Sequence, residues 1–183
     1  LQDVLEGINA AKLACLEPVK INLVIIKGVN QSQIIPLTRF GINNQTPVRF
    51  IGLMPIGEAA NSNLAGCSLS YIKRKVESHF KVKKTRDPLG WGPANYINVT
   101  EKGKSTELGF IFPEEEKFCS TCNKIRITSE GSLRPCLARD EIEIKFGDIL
   151  STSHEELVDK FKKGIYIKPG EHNWGEEAKT NSE

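Results

Sequence analysis

The stretch EPVKINLVIIKG, residues 17–28, decides the fold, because it is a short run rich in β-branched residues between Pro18 and Gly28. Apolar runs of this length between turn residues are typical of strands that are buried on both faces of a sheet. The residues before it recur at the spacing of one helix face: Val4, Ile8, Ala11 and Cys15. The sequence therefore predicts a helix followed by a buried strand.

A second helix and strand follow the first pair. Ile34, Leu37 and Phe40 recur at helical spacing, and TPVRFIGLMPIG, residues 46–57, has the composition of another buried strand that ends in a Pro and Gly loop. Ser68 is then placed to cap a third helix. Helices that alternate with parallel-type strands indicate an α/β layer or a segment of a (βα) barrel.

The pattern changes near residue 85. The segment DPLGWGPANYINVTEKGKSTELGFIF, residues 87–112, contains Gly and Pro residues that are typical of turns. It also has two strand-like runs on either side of a turn at residues 101–104. This pattern predicts an antiparallel hairpin. We therefore expect two domains, residues 1–85 with α/β structure and residues 86–183 with α+β structure and β-hairpins. In the second domain, Ser153 and Glu156 form a capping-box pattern at the start of a last helix.

The charge balance limits the partners of the chain. Lys and Arg number 25 against 23 Asp and Glu, which gives a formal net charge of +2. So small an excess does not suggest a broad surface for nucleic acid, and any anion site must be local. No run approaches the roughly 20 apolar residues of a membrane span. We expect a protein of the cytoplasm, or of an organelle matrix, that binds neither nucleic acid nor a membrane.

The five cysteines are unevenly distributed, since three of them lie in FCSTCNKIRITSEGSLRPCL, residues 118–137. Clustered thiols in a chain of this size indicate a reducing compartment and metal binding rather than a disulfide framework. Cys15 is predicted to lie on a buried helix face and Cys67 in a loop, both as small apolar residues that fill space. The chain begins at Leu1 inside an apparent helix, from which we expect a fragment of a longer protein.

The cysteine segment itself predicts a β-hairpin. Its spacing is Cys119, two residues, Cys122, thirteen residues, Cys136, and Gly131 suits a turn between the strands KIRIT and SLRPC. In that register residue 126 faces residue 134 and residue 124 faces residue 136. Side chains alternate along a strand, so one face would carry a cysteine and three basic residues, which are Lys124, Arg126, Arg134 and Cys136.

Three interpretations of the three thiols stay open at this point. A structural zinc site needs a fourth ligand, and none of the histidines lies at a standard ligand spacing: His79, His154 and His172. An open site with three thiolates suits a [4Fe-4S] cluster that keeps one iron free for another ligand. Unliganded core cysteines are the third interpretation, because an isolated CxxC is not specific.

Longer segments resemble one known family. Besides the cysteine segment, they are VKINLVIIKGVN (19–30), VRFIGLMPIG (48–57), GWGPANYI (90–97), GFIFPEEEKF (109–118), EIEIKFGDIL (141–150) and IYIKPGEH (165–172). In this order and spacing they resemble the C-terminal half of the GTP 3′,8-cyclases, radical S-adenosylmethionine enzymes of molybdenum cofactor biosynthesis. The resemblance implies that residues 1–85 contain late strands of a partial TIM-like barrel, and that residues 86–183 form an iron–sulfur domain that binds GTP.

The resemblance also implies roles for single residues. The implied ligands of the family's second [4Fe-4S] cluster are Cys119, Cys122 and Cys136. The implied GTP contacts are Lys20, Lys124, Ile125 and Arg126, and Met54 is the implied contact for S-adenosylmethionine. No residue of this chain matches a catalytic one. Lys20 also fits a solvated lysine at a strand end, and Met54 also fits a core residue. Lys124 stands where the family commonly has Arg, which removes a bidentate donor for phosphate.

The chain also departs from the family in three ways. It has no CxxxCxxC motif for the cluster that cleaves S-adenosylmethionine, it ends in TNSE rather than Gly-Gly, and Gly52 stands where an acidic residue is usual. The resemblance therefore implies the GTP-binding half of the enzyme, which needs an N-terminal half for activity and leaves apolar edges exposed without it. A homodimer is a further candidate assembly. The alternative is a non-catalytic iron–sulfur or zinc-binding module.

Overall fold

A five-stranded mixed sheet organises the first part of the chain. The computed structural model describes residues 1–85, 92–115, 119–139, 141–147 and 151–172. Contacts within these residues divide the chain into two compact units, Leu1–Glu116 and Lys117–Glu183.

The first unit alternates helices and strands before it ends in a hairpin. Its elements are α1 (Gln2–Leu13), β1 (Ile21–Val24), α2 (Ile34–Asn44), β2 (Val48–Ile51), α3 (Leu69–Glu77), β3 (Lys81–Lys84), β4 (Asn95–Glu101) and β5 (Lys104–Ile111). The sheet order is β1-β2-β5-β4-β3. Strands β1, β2 and β5 are parallel, and β4 and β3 continue the sheet antiparallel to their neighbours. The predicted α/β class is confirmed.

The hairpin between β4 and β5 lies where the sequence predicts it. Lys102 and Gly103 have positive φ values of 50° and 80°, which is the conformation of a tight turn whose twist matches that of the strands. Strand β5 also pairs with β2 in parallel, with Val48 opposite Leu108. The hairpin therefore belongs to the first compact unit, whereas the sequence suggests a boundary near residue 85. The assignment of residues 1–85 and 86–183 to two functional domains stays a prediction.

Helices α2 and α3 contribute the helical side of the core of the first unit. Ser68 caps α3 as predicted, since its hydroxyl accepts a hydrogen bond of 3.3 Å from the Tyr71 N–H. The rings of Phe50 and Phe110 lie 6.3 Å apart, centre to centre, on adjacent strands. The buried apolar residues are Ile25, Ile34, Ile42, Val48, Phe50, Leu69, Ile72, Val76, Phe80, Val99, Leu108, Phe110 and Phe112.

Two expectations for the start of the chain are wrong. The sequence predicts that strand β1 is buried on both faces, but β1 lies at the edge of the sheet and exposes Asn22 and Val24. Within the described part of the chain, α1 buries none of its residues. Cys15 was expected on a buried helix face, but α1 ends at Leu13 and Cys15 is exposed in the turn that follows. The apolar face of α1 is therefore only partly covered by the described residues, since Ile8 and Ala11 are half-buried and Val4 is exposed.

The second unit is a small three-stranded sheet with one long helix. Its elements are a 3₁₀ turn (Cys119–Thr121), β6 (Arg126–Ile127), β7 (Ser132–Arg134), β8 (Ile144–Lys145) and α4 (His154–Tyr166). The strand order is β6-β7-β8, and both pairings are antiparallel. The predicted cap of α4 is confirmed, because the Ser153 hydroxyl accepts a hydrogen bond of 3.2 Å from the Glu156 N–H.

Helix α4 packs directly on this sheet. A Cβ atom on Gly164 would overlap the side chain of Leu133, which is fully buried in β7. The rings of Phe146 and Phe161 lie 5.2 Å apart, and the Lys160 ammonium donates a hydrogen bond of 2.6 Å to the Phe146 carbonyl. Among the described residues, no helix combines the length and the apolar character that crossing a membrane requires.

The helix α2 offers a test of how closely it packs. A Cβ atom on Gly41 would lie 2.8 Å from both the Thr46 carbonyl oxygen and Val48 Cγ2. The backbone carbonyl has no freedom to move away, so we expect Gly41→Ala to lower the free energy of unfolding by about 1–3 kcal/mol. Urea unfolding followed by circular dichroism measures this change.

Gly7→Ala in α1 is the matched control. No atom lies within 4 Å of a Cβ at Gly7, so alanine should leave stability unchanged or raise it by up to about 1 kcal/mol through its helix propensity. Equal stability of the two variants would contradict the packing of α2.

Candidate functional site

The cysteine hairpin adopts the predicted register. Arg126 lies opposite Arg134, and Ile127 lies opposite Leu133. Gly131 has a φ of 74°, as its predicted place in the turn requires. The Thr128 N–H donates to the Ser132 carbonyl at 2.9 Å, which closes the turn. The turn chemistry therefore sets which residues of the two strands face each other.

The strand ladder stops short of the cysteines. Among the described residues it ends at Arg126 and Arg134, so the predicted pairing of residues 124 and 136 lies beyond it. At this point the Lys168 ammonium donates a hydrogen bond of 2.8 Å to the Lys124 carbonyl and another of 2.8 Å to the Pro135 carbonyl. One lysine side chain therefore joins the two segments at the base of the hairpin.

The three cysteines of the hairpin are half-buried and carry free thiols. Cys119 begins the 3₁₀ turn, and its carbonyl accepts a hydrogen bond of 3.1 Å from the Cys122 N–H. In the described part of the chain, no three Cys, His, Asp or Glu side chains are grouped closely enough to hold a metal ion. The donor set still fits a thiophilic metal or an iron–sulfur cluster, because each thiol is unbridged and partly accessible. The ligand assignment stays a prediction.

The basic residues of the hairpin have different surroundings. Lys124 and Arg126 are exposed, and Ile125 between them is half-buried. Arg134 forms an ion pair of 3.4 Å with Glu143, and its buried Nε atom has no hydrogen-bond partner among the described residues. A hydrogen bond from Ser132 and the nearby Arg134 hold the pKa of Glu143 below its usual range. Arg134 is thus partly neutralised by Glu143.

A second group of polar residues lies on the sheet of the first unit. Asn22, Arg49, Gly109 and Tyr96 are successive register partners across four strands, so they share one face. The Arg49 Nε–H donates a hydrogen bond of 2.7 Å to Asn22 Oδ1. The ammonium of Lys20 lies 6.0 Å from the centre of the Tyr96 ring. This face is opposite to that of the buried residues Val48 and Phe50.

Sequence reasoning missed Arg49 and Tyr96. In β2 the residues Val48 and Phe50 are buried while Arg49 between them is half-buried, so the alternation of VRFI is the signal that places Arg49 on the other face. The structure thereby places a phenol ring beside Lys20 and a guanidinium on the same sheet face as that ring.

A cleft of about 240 Å³ lies at the carboxyl ends of the parallel strands β2 and β5, where α/β sheets commonly bind ligands. Its lining residues are Gly52, Leu53, Gly66, Cys67, Ser68, Phe112, Pro113, Glu114 and Glu115. A Cβ on Gly52 would lie 2.8 Å from the ring of Phe112. Phe112 therefore occupies the space that a larger side chain at position 52 would need.

Met54 follows this strand end and is half-buried. It is not one of the buried core residues, so its surroundings do not favour the core interpretation. Its role as a contact for S-adenosylmethionine stays a prediction. Cys67 is half-buried against the core, and its burial raises the pKa of its thiol. Its environment fits the expected small apolar residue.

Comparison with known proteins points to one family. The family model described as Molybdenum Cofactor Synthesis C matches residues 46–174. A GTP 3′,8-cyclase of Moorella thermoacetica is 38% identical over 174 residues, which cover 94% of this chain and 53% of that protein. The GTP 3′,8-cyclases of Heliobacterium modesticaldum and Pseudomonas putida are 35% and 31% identical, and the alignments cover 58% and 53% of those proteins. The chain spans about half the length of these curated relatives.

The two cysteines outside the hairpin give a test of the first unit. Cys15 is exposed, whereas Cys67 is half-buried and has a raised pKa. Because the thiolate is the reactive form, we expect iodoacetamide at pH 8 to alkylate Cys15 several times faster than Cys67. Mass spectrometry of the two peptides over time measures both rates. Equal rates would contradict the placement of Cys67 beside the core.

Proposed function

The chain belongs to the Molybdenum Cofactor Synthesis C family, and from that premise we propose that it is the GTP-binding half of a GTP 3′,8-cyclase. The observation that carries the proposal is the cysteine hairpin. Its register sets Arg126 opposite Arg134, and the three free thiols lie in the segments that lead into and out of these strands. A basic surface beside a thiolate site suits a phosphorylated ligand that also contacts a metal.

In this proposal Cys119, Cys122 and Cys136 hold a [4Fe-4S] cluster. Bound there, the cluster supplies an iron with an open position to which a substrate atom can coordinate. The three thiols are the part of the site that this chain contributes, and their partial exposure allows a ligand to approach. No histidine is needed as a fourth ligand, which distinguishes this site from a structural zinc site.

Lys124 and Arg126 bind the triphosphate of GTP in this proposal, and Ile125 contacts the substrate between them. Both cationic side chains are exposed, so they are accessible to a polyanion. The intact enzyme converts GTP to (8S)-3′,8-cyclo-7,8-dihydroguanosine 5′-triphosphate by radical S-adenosylmethionine chemistry. The part of this chain in that reaction is to hold the base and the ribose in the orientation that joins them.

The first unit contributes the end of a barrel in this proposal. Strands β1 and β2 are late strands of a partial (βα) barrel, and the sheet edge at β1 together with the exposed α1 provides the surface to which an N-terminal half is joined. Lys20 and Arg49 present positive charge on one sheet face, which suits GTP. Met54 at the carboxyl end of β2 contacts S-adenosylmethionine.

Iron binding tests the cysteine assignment. We expect the chain, reconstituted without oxygen, to bind about four irons, and we expect GTP to shift the electron paramagnetic resonance spectrum of the reduced sample. Single alanine variants of Cys119, Cys122 or Cys136 should lose most of this iron. Cys15→Ala and Cys67→Ala are the matched controls and should retain it. One tightly held zinc without a response to GTP would favour the structural zinc module instead.

The activity of the chain alone is a separate prediction. Because no CxxxCxxC motif is present in the sequence, we expect no cyclised product from GTP and S-adenosylmethionine with this chain. Product should form when the N-terminal half of a relative is added. Liquid chromatography with mass spectrometry detects the product, and turnover by the chain alone would overturn the proposal that it is one half of the enzyme.

Lys124 gives a test of the GTP contact. Arginine presents a planar pair of donors to phosphate, and one added hydrogen bond contributes about 1 kcal/mol, so Lys124→Arg should tighten GTP binding about fivefold. Isothermal titration of the reconstituted chain measures the dissociation constant. Lys84→Arg, at an exposed position on β3, is the matched control and should change nothing. Unchanged affinity in Lys124→Arg would remove this residue from the proposed site.

A further inference from the structure

Lys168 lies just beyond α4 and makes two contacts that connect distant parts of the second unit. Its ammonium donates to the Lys124 carbonyl, 44 residues away in sequence, and to the Pro135 carbonyl, 33 residues away, both at 2.8 Å. Pro135 is buried, and Lys168 itself is half-buried. Hydrogen bonds from an ammonium group to carbonyls in such a setting are stronger than those between neutral groups.

These contacts lie where the hairpin has no other described connection. The ladder of β6 and β7 ends at Arg126 and Arg134 among the described residues, and the chain then continues toward Cys122 on one side and Cys136 on the other. Two segments without ladder hydrogen bonds tend to separate. A single ammonium carries three donors, and two of these are used here to hold one carbonyl from each segment.

The position of Lys168 is itself set by the packing of α4. Gly164 lies against Leu133, and the ammonium of the half-buried Lys160 donates to the Phe146 carbonyl. Helix α4 is held in place at these points. Lys168, two residues beyond its end, therefore starts from a fixed position near the base of the hairpin. The position of the Lys168 ammonium is therefore fixed by the packed helix α4.

We propose that Lys168 is a positioning residue of the cysteine site: by holding the carbonyls of Lys124 and Pro135, it limits how far the segments that carry Cys122 and Cys136 can separate, so that a metal centre can draw the two thiols together. The inference rests on the proposed function, in which these cysteines bind a cluster. In this inference, a lysine outside the cysteine motif restricts the separation of two of the proposed metal ligands. The same contact holds the backbone from which the Lys124 side chain extends toward GTP.

Cobalt titration of the reduced, metal-free chain tests this inference, because cobalt bound by thiolates gives a charge-transfer absorption without any enzyme activity. We expect Lys168→Met, which keeps the apolar stem and lacks the donors, to weaken cobalt binding at least about tenfold. Lys168→Arg retains donors and should recover most of the affinity. Lys163→Met removes an exposed charge near the end of the same helix and should bind cobalt like the unmodified chain.

The outcomes separate the inference from the proposed function. Equal cobalt affinity in Lys168→Met and the unmodified chain would overturn the role of Lys168 and leave the cysteine site in place. No thiolate-to-cobalt absorption in the unmodified chain would overturn the proposed function, and the role of Lys168 with it. Loss of the helical circular dichroism in Lys168→Met, without recovery in Lys168→Arg, would make Lys168 a folding residue and overturn its positioning role.

Discussion

In both units a helix lies so close to a sheet that a glycine stands at the contact, where even a methyl group would force neighbouring atoms to move. Gly41 of α2 lies against the Thr46 carbonyl and Val48, and Gly164 of α4 lies against Leu133. Such close approach lets the helix bury the sheet face beneath it with little void. The core of the first unit and the hairpin of the second both depend on this constraint, because each helix fixes the strands that carry the candidate ligand-binding residues.

For the proposed cysteine site, the consequence is that the contacts at the hairpin base come from outside the cysteine motif. The ladder between β6 and β7 is short, and Leu133 is its one fully buried residue. Helix α4 covers that residue and places Lys168 at the hairpin base, where it contacts the carbonyls of Lys124 and Pro135. Helix α4, which lies outside the cysteine motif, is thereby linked to the segments that carry the thiols.

Local features of the fold were predictable from the sequence, and long-range ones were not. The caps at Ser68 and Ser153 and the turn at Gly131 depend on residues a few positions apart, and all three are confirmed. The parallel pairing of β5 with β2 joins residues about 60 positions apart, and no local pattern specifies it. Composition also could not show that β1 lies at a sheet edge, since an apolar run fits an edge strand and a central strand alike.

The same distinction applies to the candidate site. The register of the hairpin follows from its turn, so the placement of Arg126 opposite Arg134 could be predicted. The contacts of Lys168 and the shared face of Arg49 and Tyr96 could not, because each joins elements that are far apart in the chain. Spacing singles out the three thiols as candidate ligands, whereas the contacts of Lys168 with the neighbouring segments come from tertiary packing.

The cysteine hairpin carries like charges on paired positions of its two strands. Two arginines directly opposite each other on adjacent strands repel and destabilise the pairing. Glu143 relieves this repulsion at Arg134, with which it forms an ion pair, and its pKa is held low enough to keep it charged at neutral pH. Among the described residues no ion pair is formed by Arg126, which is exposed. The positive charge that remains on Arg126 and Lys124 is accessible to an anionic ligand, as the proposed binding of a triphosphate requires.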